Sequence, residues 1–218
     1  MRSIDRTLAR DITLVCLAVG LVAVSYGAIA VASGFPLWLP MAQSVLVLAG
    51  SSELLFVGLV AAGGNPVAVA LAGLLVNARH VPYGLALPPG VTGRGWRRLL
   101  GTHVMNDESV VFALGNGAAA YWTCGIGVLI AWPAGAAIGA LIGSVVRDTN
   151  AFGLDAMFPA VILALILPKL RDRGTLFAAL AAAAIALATT PFLPSGAPVL
   201  LALVAVAVVL PSRHREEQ

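Results

Sequence analysis

The sequence predicts an all-α fold, a polytopic transmembrane helical bundle of about six to eight hydrophobic segments, some of them broken or re-entrant. Of its 218 residues, 60% are hydrophobic and 11% charged, whereas a soluble domain carries about 25% charged residues. Mean hydropathy is +0.96. Several apolar runs reach the roughly 20 residues that a helix needs to cross the hydrocarbon layer. No composition shift or linker divides the chain, so residues 1–218 are expected to form a single integral-membrane domain.

The elements follow in order. Ile12 to Ser33 is too long for a signal-peptide core and has no convincing small-residue cleavage site, so it reads as a retained span. Leu39 to Ala62 is a second run, but Ala49, Gly50, Ser51, Ser52 and Glu53 fall near its middle. Glycine frees the backbone there, and the serines are suited to cap a half-helix whose exposed N–H groups attract a carboxylate. Pro66 to Leu87 reads as a third, continuous span, although its second half carries Asn77, Arg79 and His80. Leu99 to Ala120 is interrupted by His103, Asn106, Asp107 and Glu108, while Tyr121 to Val146 is a convincing crossing. Phe152 to Pro168, Leu176 to Phe192 and Ala197 to Leu210 are short, and a second break is expected over Asn150 to Pro159.

Basic residues gather between the runs: Arg2, Arg6 and Arg10; Arg94, Arg97 and Arg98; Lys169, Arg171 and Arg173; Arg213 and Arg215. The formal charge of +3 is thus a topological signal that marks cytoplasmic ends, both termini included, rather than a nucleic-acid surface. Clusters on one face require an even number of crossings between neighbours. Three runs separate the first and second clusters and three the second and third, so either one element per interval fails to cross fully or one cluster lies on the other side; helices that break near the midplane, as in many secondary transporters, are the simpler resolution.

Cys16 and Cys124 show neither paired nor metal-type spacing and read as packing residues. Gly135, Gly139 and Gly143 recur every four residues and predict a smooth helix-packing ridge, since lipid gives helices no hydrophobic drive to associate. Arg147 with Asp148 reads as a helix-end pair.

An ionised side chain near the bilayer centre costs about 3 kcal/mol on insertion scales, so such groups survive where they face protein or a wet cavity. Arg79 is the buried cation candidate, always charged and able to hold a carboxylate through parallel hydrogen bonds. Its partner is either a substrate or one of Glu53, Asp107 and Asp155. Glu53, His80, Asp107 and Glu108 are the candidates for proton coupling, imidazole by its pKa near neutrality and carboxyls through burial. No H-E-x-x-H site, G-x-S-x-G elbow, phosphate-binding loop or C-x-x-C pair occurs, so no enzyme activity, metal or cofactor is expected.

The strings Ala49-Gly50-Ser51-Ser52, Asn77-Ala78-Arg79-His80 with Tyr83-Gly84, Asp107-Glu108-Ser109, and Gly153-Leu154-Asp155 with Phe158-Pro159-Ala160 resemble the AzlC family over about residues 11 to 211. The resemblance implies a bacterial inner-membrane permease that exports branched-chain amino acids, with methionine a further candidate, alongside a small hydrophobic AzlD-type subunit. Where the family commonly has glutamine, this chain has Glu53, which adds a titratable group to the suspected site. A zwitterionic substrate would then place its carboxylate at Arg79 or the Ser51–Ser52 helix start, with Gly50 and Asn77 further substrate-binding candidates. Its ammonium would lie near Glu53 or Asp155. One proton entering at about 2.3 kcal/mol per 100 mV supports a gradient of about fiftyfold. A non-transporting membrane scaffold and a proton or ion channel are the alternatives.

Overall fold

The computed structural model describes residues 4–145 and 169–193, together with 163, 167, 198, 201 and 202. The expected break over Asn150 to Pro159, Asp155, the Arg147–Asp148 pair and most of the segments from Phe152 and from Ala197 lie outside those residues. Every regular element among them is helical: α1 (Arg6–Ala32), α2 (Trp38–Leu46), α3 (Gly50–Ala61), α4 (Pro66–Asn77), α5 (His80–Ala86), α6 (Trp96–His103), α7 (Asp107–Asn116), α8 (Ala118–Val145), a 3₁₀ turn at Lys169–Arg171 and α9 (Arg173–Thr189).

Local chemistry sets many of these boundaries. The Asp5 carboxylate accepts from the Leu8 N–H at 2.8 Å and starts α1. Asn65 accepts from the Val67 and Ala68 N–H groups with Pro66 at the first turn, so α4 begins there. Asn106 and Ser109 bond reciprocally in a capping box that opens α7. Asp172 caps α9 by accepting from the Thr175 N–H.

Among the described residues two helices, α1 with 27 residues and α8 with 28, are long and apolar enough to cross a bilayer. They form the spine of the molecule. Cys16 lies against Gly127, Gly20 against Ala131 and Gly135, and Val24 against Gly139, while Ala28 meets Gly143. The pairing advances in the same direction along both helices, so α1 and α8 run parallel. That brings Arg6 and Arg10 to the same end of the spine as Ala118, next in sequence to α6–α7 and their arginine-rich lead-in. A Cβ on Gly139 would overlap the Val24 carbonyl, and one on Gly143 would lie 2.6 Å from the Ala28 carbonyl. Backbones in such contact gain dispersion and weak polar interactions that larger residues would forbid.

The outward faces are apolar as well. Leu14, Leu17 and Leu21 on α1, and Ile130, Ile138 and Leu141 on α8, are exposed at helical spacing. Large aliphatic side chains left uncovered along the flanks of two long helices match a lipid-facing surface. Tyr26, Leu54, Val57, Cys124 and Trp132 fill the core between the spine and α3. Cys16 and Cys124, unpaired by sequence spacing, become neighbours here: both are free thiols, with the Cys16 Sγ 3.9 Å from the Cys124 carbonyl.

The Leu39 to Ala62 run divides at Val47–Ala49, beside the glycine and serines that announce it. Pro66 to Leu87, expected to be continuous, is instead two helices that meet at Ala78–Arg79. Pro82 supplies the reason. It has no N–H for the Ala78 carbonyl and its ring crowds that oxygen, so the ladder tightens to a three-residue bond from the Val81 N–H at 3.0 Å. Helices α2 to α7 have 7 to 12 residues, too short for a full crossing singly, and α9 has 17.

Candidate functional site

Three interruptions of the helical ladder meet beside one another, at α2–α3, α4–α5 and α6–α7. At the first, buried Leu48 adopts a φ of 50°, a left-handed conformation that costs a branched side chain about 1 to 2 kcal/mol. The Gly50 backbone lies under the Trp132 ring, where a Cβ would come within 2.5 Å of a ring carbon. The serines do not cap α3: Ala49 occupies the cap position and no side chain bonds there in the N-cap manner. Glu53 reaches back instead. One carboxylate oxygen accepts from the Ala49 N–H at 2.9 Å and the other from the Trp132 indole N–H at 3.0 Å. A helix start that would attract a substrate carboxylate is already served by the chain's own. Trp132 stacks on Tyr26 with centroids 5.6 Å apart, and the Tyr26 hydroxyl donates to Gln43.

With Glu53 satisfying that end, the serine hydroxyls are left to face α4 and α5. Ser52 donates to the Ala49 carbonyl and accepts from the Asn77 amide at 2.9 Å. Ser51 accepts from an Arg79 guanidinium N–H at 2.6 Å. His80 places its Nδ1 2.8 Å from the Asn77 carbonyl, occupying the last acceptor of α4.

The third interruption supplies the acid. Asp107, the first residue of α7, lies 3.3 Å from the Arg79 guanidinium and accepts a hydrogen bond from the Tyr83 hydroxyl. Its place in the first turn adds the favourable field of the helix N-terminus. The pair is half-buried, with side-chain exposures of 26% for Arg79 and 47% for Asp107, so water reaches it from one side. Glu108 follows in the same turn, half-buried. Arg79 therefore bridges Ser51 of the first break to Asp107 of the third.

Three buried side-chain atoms among the described residues have no hydrogen-bond partner: Asn77 Oδ1, Arg79 Nε and Asn106 Nδ2. Asn77 and Arg79 belong to this cluster, and Asn106 caps the helix that Asp107 opens. An orphaned buried polar group costs about 1 to 3 kcal/mol.

The structure brings together Ser51, Ser52, Asn77, Arg79, His80 and Asp107. It sets Glu53 apart: the residue is 1% exposed and both of its oxygens point to Ala49 and α8. Gly50 lies under Trp132, and Gly135, Gly139 and Gly143 lie along the spine. Trp132, Tyr83 and Asn106 join the network without having been assigned roles from sequence. An indole in the middle of an apolar helix, whose N–H must find an acceptor, was the available signal for Trp132. Since two donors converge on the Glu53 carboxylate, Glu53→Gln turns an NH₂ group toward one of them. The variant is expected to lose about 1 to 2 kcal/mol of stability, read as a lowered Tm in detergent.

The AzlC protein family model matches residues 14–146, which contain all three interruptions. The branched-chain amino acid transport protein AzlC of Bacillus subtilis (strain 168) is 27% identical over 198 residues, covering 86% of this chain and 77% of that protein. No solved structure matches. This relationship points to a transporter rather than an enzyme, and two apolar spine helices with lipid-type flanks agree with a place in a membrane. With the match running through the broken helices and the spine, the chain belongs to the AzlC family.

Proposed function

We propose that the chain is the large subunit of a permease that exports leucine, isoleucine or valine, with methionine a further candidate, across the bacterial inner membrane. It works with a small AzlD-type subunit and is driven by proton entry. The similarity to a branched-chain amino acid transport protein supports the substrate class. The observation that carries the mechanism is the half-buried Arg79–Asp107 pair set among three helix breaks.

The substrate enters that pair. Its carboxylate takes the Arg79 guanidinium and Ser51, with the orphaned Nε supplying a further donor; its ammonium takes Asp107 and the unpartnered Asn77 side-chain Oδ1. The aliphatic side chain lies against the apolar faces of α3 and α4. Asp107 thus replaces Glu53 as the ammonium's counter-ion, because Glu53 is enclosed and engaged, while Glu53 and Gly50 shape the α3 start and Asp155 retains a place in the proposal from sequence alone. A proton and an ammonium then compete for one carboxylate. Protonation from the acidic outer side discharges the amino acid, and deprotonation inside readmits one, which is the ordering that exchange requires. His80, in contact with the α4 end, and Glu108, beside Asp107, are further stations for the proton.

The test is flux from proteoliposomes loaded with labelled leucine, valine or methionine, with and without the partner subunit, under an imposed pH gradient. Efflux accelerated by an acidic exterior is expected. Current without amino acid would favour a channel, and no flux in any combination would favour a scaffold. Asp107→Asn keeps an acceptor for Tyr83 but takes no proton, so it is expected to exchange substrate about tenfold more slowly, from the loss of one charged hydrogen bond, and without response to the gradient. A full pH response in that variant would remove Asp107 from the coupling step.

A further inference from the structure

The connection from α5 to α6 is not used by the exchange mechanism, and it is built. It carries Gly90 at φ 83° and Gly93 at φ 89°, left-handed conformations open to glycine at little cost. Leu87 and Val91 are buried in a second core cluster with Val104, Val110 and Tyr121. The Trp122 indole donates to the Val91 carbonyl at 2.9 Å, and the Tyr121 hydroxyl donates to the Gly101 carbonyl. Gly101 packs so tightly on Thr92 that a Cβ would overlap its carbonyl. These contacts hold a turn of α8, the loop and α6 as one unit.

That unit borders an open cavity of about 380 Å³ whose lining includes Pro88, Gly90, Thr92, Arg94 and Arg98. Arg97, between them in sequence, lies 6.0 Å from the Trp122 ring centroid. On the same short helix Trp96 is 74% exposed and Leu99 75% exposed. Arg94 and Arg98 line the cavity while Trp96 and Leu99 of the adjoining helix stay uncovered, which together supply the two halves of a site for an amphiphile: an anionic head and an apolar tail. A free anion would leave the apolar half without a role.

The geometry points to a binding site for an anionic phospholipid, with the phosphodiester between Arg94 and Arg98 and the acyl chains along Trp96 and Leu99. The site lies at the end of the spine that also carries Arg6, Arg10 and Trp122, where basic and aromatic residues meet the interface. Bound lipid would fasten the α5–α6 connection, and through α5 the segment that carries Arg79 and Tyr83. The inference rests on the membrane placement in the proposed function, and not on its substrate or ion.

The full chain, purified in detergent, is titrated with short-chain phosphatidylglycerol or phosphatidylcholine and bound lipid is counted by native mass spectrometry. One phosphatidylglycerol is expected to bind in preference to phosphatidylcholine. Arg94→Gln with Arg98→Gln is expected to weaken it about thirtyfold, at about fivefold per arginine near a charged lipid surface. Arg94→Lys with Arg98→Lys should retain most of the affinity, and Arg173→Gln all of it. Circular dichroism confirms that each variant keeps its helix content. Equal binding of the two lipids, undiminished binding by the glutamine variant, or displacement by inorganic phosphate at lipid-like concentrations would overturn the assignment, the last in favour of a simple anion site. Because no flux is measured, failure of this site leaves the transport reading standing, and failure of transport leaves this site standing.

Discussion

Arg79→Lys is expected to slow efflux about a hundredfold while the protein stays folded and inserted. The substitution keeps the positive charge, so the half-buried Asp107 retains a counter-ion. What it removes is the planar fork that serves Ser51 with one nitrogen and Asp107 with another while leaving Nε for a third acceptor. An ammonium group on a flexible stem cannot hold those directions at once. Two charge-assisted hydrogen bonds at about 1.5 kcal/mol each come to about 3 kcal/mol, a factor of roughly 150. Labelled leucine efflux measures the effect, and wild-type rates in the lysine variant would dismiss a carboxylate clamp. Removing the pair together, as Arg79→Gln with Asp107→Asn, separates folding from function. Each single loss leaves a half-buried charge without its partner, whereas the double variant leaves none. It should recover stability relative to Arg79→Gln alone and still fail to transport.

The second large effect is on assembly of the spine. Gly139→Leu is expected to abolish the monodisperse folded species, since its side chain would have to occupy the space of the Val24 carbonyl. Overpacking a compact interior costs about 1 to 3 kcal/mol and more where the obstacle cannot rotate away. The obstacle here is main chain, so trimming Val24 to alanine brings no rescue. Gly115→Ala is the control: nothing lies within 4 Å of its would-be Cβ, and it sits within α7, where alanine is favoured over glycine by about 1 kcal/mol. That variant should be neutral or slightly stabilised. Size-exclusion profiles and thermal unfolding in the same detergent compare the two, and a well-behaved Gly139→Leu would show that α1 and α8 do not touch as described.

Much of the fold was legible because apolar length and glycine spacing are one-dimensional signals. Ile12 to Ser33 and Tyr121 to Val146 became α1 and α8 with boundaries shifted by a few residues, and the Ala49–Glu53 break fell beside the glycine and serines that announce it. The break at Ala78–Arg79 was legible in principle, through Pro82, but an unbroken apolar run and the polar knot hid it. The polar residues that gather were readable as types, not as pairs. Three carboxyl candidates compete for one arginine in the sequence, and only the fold decides that Asp107 meets Arg79 while Glu53 turns to Trp132. Nothing in spacing could have shown that choice, because the contact between Glu53 and Trp132 spans 79 positions.

The parallel course of α1 and α8 also bears on how the chain is made. Ribosomes add about 5 to 20 residues per second, so the glycine face of α1 waits roughly ten seconds before its matching surface emerges. Until then Gly20 and Gly27 offer main chain to any passing helix. A chain truncated before Ala118 lacks the matching surface altogether and should be captured by other small-residue helices or degraded.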